Sequence, residues 1–152
     1  MKNEQTIAVL NDLLHITNDR IEGFEKVEGK IWERYPDVKN EYDHMISQSK
    51  IMKNELIDLI TEINGKPQDS PSIAGTLHRT WIDIKNSFLS ANVESTLENV
   101  VFGERAAIDT YEEALKNGNL SGRSLEVITS HLKNLKESYH QFEKIKEYKE
   151  RE

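Results

Sequence analysis

The sequence predicts an all-α fold, a four-helix bundle of two antiparallel hairpins, and three observations carry that reading. Apolar residues recur at three- and four-residue spacing over four long stretches. Only 7 Gly and 3 Pro punctuate 152 residues, too few for the many turns of an all-β fold. Charged residues reach 31% and hydrophobic residues only 36%, yet Leu, Ile, Val and Phe make up about a quarter of the chain, enough for a packed core. At this length a single domain, 1–152, is expected.

In the first helix Ile7, Leu10, Leu14, Ile21, Phe24 and Ile31 form one stripe that also takes in Thr17 and Glu28, with an end expected near Trp32. Pro36 and Asp37 break the chain and start the second helix, where Val38, Tyr42, Met45, Met52, Leu56, Leu59 and Ile63 repeat the pattern with Ser49 on it. Asn64-Gly65 stops it. A loop follows over 65–72, and Ser70-Pro71 opens a shorter helix carrying Ile73, Leu77, Trp81, Ile84 and Phe88. Asn92 caps the next long helix, whose face holds Leu97, Val101, Glu104, Ile108, Tyr111 and Leu115 before Asn117-Gly118. Ser121 caps the last, with Leu125, Ile128, Leu132, Leu135, Tyr139 and Phe142. The links within each hairpin are short, whereas 65–91 is long and carries its own short helix. Such a connection suits a ferritin-like crossover rather than simple up-down-up-down order.

Twenty-seven acidic against 20 basic residues give a net charge of −7 and argue against phosphate-directed nucleic-acid binding and against anionic membranes. The absence of Cys removes disulfides, thiolate catalysis and cysteine metal sites, so a metal would need Asp, Glu and His. With no secretion signal and no apolar run long enough for a membrane span, a cytoplasmic location is expected. No Ser/His/Asp arrangement or glycine-rich phosphate loop is present.

A bundle of this kind can hold a carboxylate-bridged pair of iron or manganese ions on Glu and Glu-x-x-His ligands. That spacing occurs at Glu41–His44 and Glu137–His140. Helix phase weakens it: at about 100° per residue Glu41 falls roughly 60° from its stripe, His44 about 120°, His140 about 110° and Glu137 about 170°. Glu104 lies within about 15° of its stripe centre and Glu28 lies on its own, so both are expected to face inward. An interior carboxylate must be paired, hydrogen-bonded, protonated or metal-bound. For Glu104 the ordinary solution is an ion pair or a bond from Tyr42, Tyr111 or Tyr139. The metal solution would use Glu104, with Glu28, Glu41 and His140 in support. His15 and His131 flank stripes and are expected to make interhelical hydrogen bonds; Trp81, beside His78 and Arg79, is expected to pack the crossover on the bundle.

The stretch 72–85, SIAGTLHRTWIDIK, resembles the signature of a bacterial family of uncharacterised ferritin-like four-helix-bundle proteins, a domain of unknown function. Gly23-Phe24, Gly103-Glu104, Tyr111, Glu113, Ala114, Leu115 and His140 are similar to the family pattern in the same order, whereas Glu41, His44 and Glu137 match no motif of it. The resemblance implies the crossover topology and a loose link to stress responses, and no enzymatic activity. The expectation is therefore a structural or stress-associated protein working through self-association, as a dimer, or through a protein partner. Trp32, Ile51, Ile57, Ile82 and Val100, outside the main stripes, are the expected interface material. The rival expectation is an iron- or manganese-binding protein or oxidoreductase.

Overall fold

A computed structural model describes residues 2–25, 36–68 and 93–150. Among them are four helices and no strand: α1 (Lys2–Glu25), α2 (Pro36–Glu62), α3 (Val93–Lys116) and α4 (Gly122–Glu150). The expected extension of the first helix to Trp32 and the whole crossover helix, with His78, Trp81 and Ile82, lie outside the described residues.

Chain stops sit where turn chemistry predicts. After α2, Asn64 takes a left-handed conformation (φ 63°), its N–H bonds to the Thr61 carbonyl and the Gly65 N–H reaches back to that of Ile60. This Schellman closure satisfies carbonyls that the helix leaves open. A Cβ on Gly65 would stand 2.8 Å from Ile60 Cγ2 and 2.9 Å from Ile7 Cγ1, so only glycine lets α1 close over the turn. Gly118 (φ 71°) ends α3 in the same left-handed region. At the start of α4 the Ser124 hydroxyl donates to the Ser121 carbonyl and lies 3.2 Å from the Ser121 N–H, a short capping arrangement.

α1 packs on α2 and α3 on α4 as hairpins, and these join through α1–α3 and α2–α4 contacts. Arg20 meets Glu104 and Thr6 meets the Asn119 carbonyl, so α1 and α3 are antiparallel. Glu55 meets His131 and Glu62 meets Arg123, so α2 and α4 are antiparallel as well. It follows that α2 and α3 run in the same direction. Leu10, Leu14, Phe24, Tyr42, Met52, Leu56, Ile108, Tyr111, Ile128, Leu135 and Phe142 build the common core. Tyr42 stands edge-on to both Phe24 and Phe142, tying the hairpins together at one end.

The buried faces depart from the expected stripes in three places. Val100, expected on the outside, is fully buried, because α3 turns Val100, Gly103, Glu104, Ala107, Tyr111 and Ala114 inward and the small residues admit close helix approach. Leu125, expected in the core, is 42% exposed; it stands in the first turn of α4, level with the end of α2, where Glu62 meets Arg123. α1 is buried continuously from Ile16 to Arg20, polar residues included, rather than along a single stripe. Ile51 is exposed as expected and Ile57 is half-buried.

Candidate functional site: a polar node inside the bundle

Glu104 is inside, as its phase requires, with no exposed surface. Its partner is Arg20 of α1, itself 2% exposed: Nε and Nη2 both donate to Oε1, at 2.9 and 2.6 Å. Moving either charge from water into this interior costs several kcal/mol, so neither would be stable there alone. Each group also keeps one atom unmatched, Nη1 of Arg20 and Oε2 of Glu104.

Beside this pair lies a hydrogen-bonded line across the bundle. The Tyr111 hydroxyl of α3 is 3.2 Å from His131 Nδ1 of α4, and His131 Nε2 is 3.3 Å from Glu55 Oε1 of α2. The Glu55 carboxylate can only accept, so Nε2 carries the hydrogen; in a neutral ring Nδ1 is then bare and accepts from Tyr111. His131 is 1% exposed, and burial lowers its pKa, opposed by Glu55 and reinforced by the positive charge of Arg20. Burial likewise pushes the Tyr111 phenol up to about 12, with Thr17 and Arg20 acting the other way. Both groups therefore stay neutral at pH 7. All four helices contribute to the node: Thr17 and Arg20, Glu55, Glu104 and Tyr111, and His131.

Of the metal candidates, Glu104, Glu41 and His140 are not brought together. Glu28 lies outside the described residues. Glu104 is deep and already salt-bridged, whereas His140 is exposed with its ring beside Tyr139. Glu41 lies in an outer groove between α2 and α4 together with His44 and Glu137. Among the described residues no group of three or more His, Asp or Glu side chains is placed to hold a metal ion. Among the described residues the donor set does not fit a dinuclear centre, because the interior carboxylate is matched by a guanidinium.

Tyr42, one of the expected partners of Glu104, instead donates to the Phe24 carbonyl. His15 faces Gln68 at 3.2 Å, and His131 makes the interhelical bonds expected of it. Arg20 is the residue that sequence reasoning missed. Its signal was available: Leu13, Ile16 and Arg20 continue one three-four spacing, and an interior Glu104 requires a cation on a facing helix.

Residues 5–117, which span α1 to the end of α3, match the family described as domain of unknown function (DUF2383). The chain belongs to this family. The match covers Arg20, Glu55, Glu104 and Tyr111, while His131 and the rest of α4 follow it. For this DUF2383 member no curated protein and no solved structure gives a match. No described helix is long and apolar enough to cross a membrane.

Proposed function

We propose that this DUF2383 protein is a ferritin-like bundle with a structural, stress-associated role, acting by association with a second copy or a protein partner rather than by metal chemistry. One observation carries the reading: Arg20 supplies the positive charge that a bound metal would otherwise bring to Glu104. The interior charge is balanced within the chain and spent on holding α1 to α3. The parallel course of α2 and α3 supports the crossover, since the chain between them must return along the bundle. Ile51 and Phe102, 60% and 58% exposed, are the described apolar groups most open to a partner. They stand on different helices, so a dimer using both would bury two faces. A cytoplasmic setting accords with this reading.

The test is size-exclusion chromatography with light scattering on the full chain, with elemental analysis and thermal shift after anaerobic loading with Fe(II) or Mn(II). A dimer without stoichiometric metal is expected; a strict monomer at high concentration removes self-association. The second reading, an iron- or manganese-binding protein, rests on the unmatched Oε2 of Glu104. It requires near-stoichiometric metal and a stability gain that vanishes in Glu104→Ala.

A further inference from the structure

Two Asn-Gly pairs follow helices in this chain, Asn64-Gly65 after α2 and Asn117-Gly118 after α3. Such a pair is chemically reactive, because the backbone nitrogen of the glycine can attack the asparagine Cγ and no Cβ on the glycine shields it. Both asparagines are exposed, so water reaches both amides. The difference between the pairs lies in the attacking nitrogen.

At the first pair that nitrogen is committed. The Gly65 N–H donates to the Ile60 carbonyl at 2.8 Å, and Ile60 is fully buried. The glycine itself is half-buried, with Ile60 Cγ2 and Ile7 Cγ1 at 2.8 and 2.9 Å from where a Cβ would stand. Ring closure must swing the Gly65 nitrogen toward the Asn64 side chain, which breaks the Schellman bond and moves the glycine against its neighbours on α1 and α2. The reaction then runs only through a locally opened state, and the small population of that state scales the rate. At the second pair nothing comparable holds the nitrogen. Gly118 is exposed, its N–H has no hydrogen-bond partner among the described residues, and no atom lies within 4 Å of a Cβ position. The Asn117 N–H bonds to the Glu113 carbonyl at 3.2 Å, but among the described residues no bond holds the Asn117 side chain.

We propose that Asn117 is a site of spontaneous deamidation and isoaspartate formation in the folded protein, and that the turn after α2 protects Asn64 from the same reaction. Hydroxide removes the Gly118 amide proton, the nitrogen bonds to Cγ of Asn117, and the Cγ–Nδ2 bond breaks as ammonia leaves with a proton from water. Water then opens the cyclic imide at either carbonyl, leaving an aspartyl or an isoaspartyl residue at position 117. Water is consumed and ammonia released, with no change of oxidation state. The product carries a new carboxylate at the C-terminal end of α3, where the helix dipole is negative and Glu113 stands a turn back. The isoaspartyl form also lengthens the backbone just before Asn119, whose carbonyl accepts the Thr6 hydroxyl of α1. The modification therefore acts on the contact that ties α1 to the turn between α3 and α4.

Incubation of the full native chain at mildly alkaline pH, followed by peptide mass mapping and by enzymatic methylation to count isoaspartyl groups, tests the assignment. Position 117 should convert at least about tenfold faster than position 64, the factor that goes with breaking roughly one buried hydrogen bond to open the first turn. In urea above the unfolding transition the two rates should converge, because only folded structure separates the pairs. Gly118→Ala, with open space around its Cβ, should slow conversion at position 117 and leave position 64 unchanged. Equal rates in the native chain would overturn the proposal. So would a difference that survives in urea, which would assign it to the neighbouring residues Lys116 and Asn119 rather than to the fold.

Discussion

Arg20 and Glu104 set the energetics of the interior at the scale of single residues. Removing one partner leaves the other charge buried and uncompensated, so Arg20→Met should cost about 3–5 kcal/mol of stability. Urea denaturation with a common m-value measures it. Replacing both, Arg20→Met with Glu104→Leu, removes the desolvation cost along with the attraction and should restore much of the loss or exceed wild type. A double variant as unstable as the sum of the singles would mean that the pair is held by contacts beyond its own charges. The unmatched Nη1 and Oε2 favour recovery, because part of the hydrogen-bonding capacity of the pair is unused in the native fold.

At the scale of elements, the turns are decided by a few atoms. Gly65→Ala would drive a Cβ against Ile60 Cγ2, Ile7 Cγ1 and, at 3.1 Å, the Ile60 carbonyl. Neither side chain can retreat without opening the α1–α2 contact, so a loss of about 1–3 kcal/mol is expected, read as a lower urea midpoint. Gly118→Ala meets nothing within 4 Å and pays only for its left-handed backbone, about 1 kcal/mol. These turns were legible in the sequence as Asn-Gly pairs, and so were the long helices, because a three-four apolar spacing has one simple solution. Which side of α3 turns inward was less so. Ala107, Ala114 and Gly103 add little to an apolar stripe, yet their small size brings a neighbouring helix close and rotates the buried face toward Val100. Glu104 was legible by phase; its partner was easier to miss, since Arg20 continues the spacing of Leu13 and Ile16 but also sits in a polar run, Thr17 to Arg20, that reads as a solvent face until residues 16–20 are seen to be buried together. The two halves of the α2–α4 groove were legible only as a spacing shared by Glu41–His44 and Glu137–His140. Phase turned them outward, and only the packing of α2 against α4 puts Glu41, His44 and Glu137 in one groove without His140.

At the scale of the whole molecule, His131 links the stability of the bundle to pH. It is hydrogen-bonded to Tyr111 on α3 and Glu55 on α2 and feels the charge of Arg20 on α1, so its protonation state is felt by every helix. Its folded pKa lies below the ordinary 6.5, with burial as the main cause. The unfolded chain therefore binds a proton at a pH where the folded chain still resists it. Stability from the neutral imidazole is complete above about pH 6.5 and falls as the pH drops through the depressed folded value, with a slope set by the difference in bound protons. Protonation would also place a hydrogen on Nδ1, forcing the Tyr111 hydroxyl from donor to acceptor. Equilibrium unfolding in urea, compared at about pH 7.5 and about pH 5.5, should show wild type losing stability on acidification. His131→Gln, whose amide keeps a donor and an acceptor without titrating, should lose less, and the difference between the two proteins cancels carboxylates common to both, including Asp12, whose pKa burial raises. A wild-type curve that falls no more steeply than that of His131→Gln would mean that the ring is already protonated in the folded protein, with Glu55 rather than burial setting its charge.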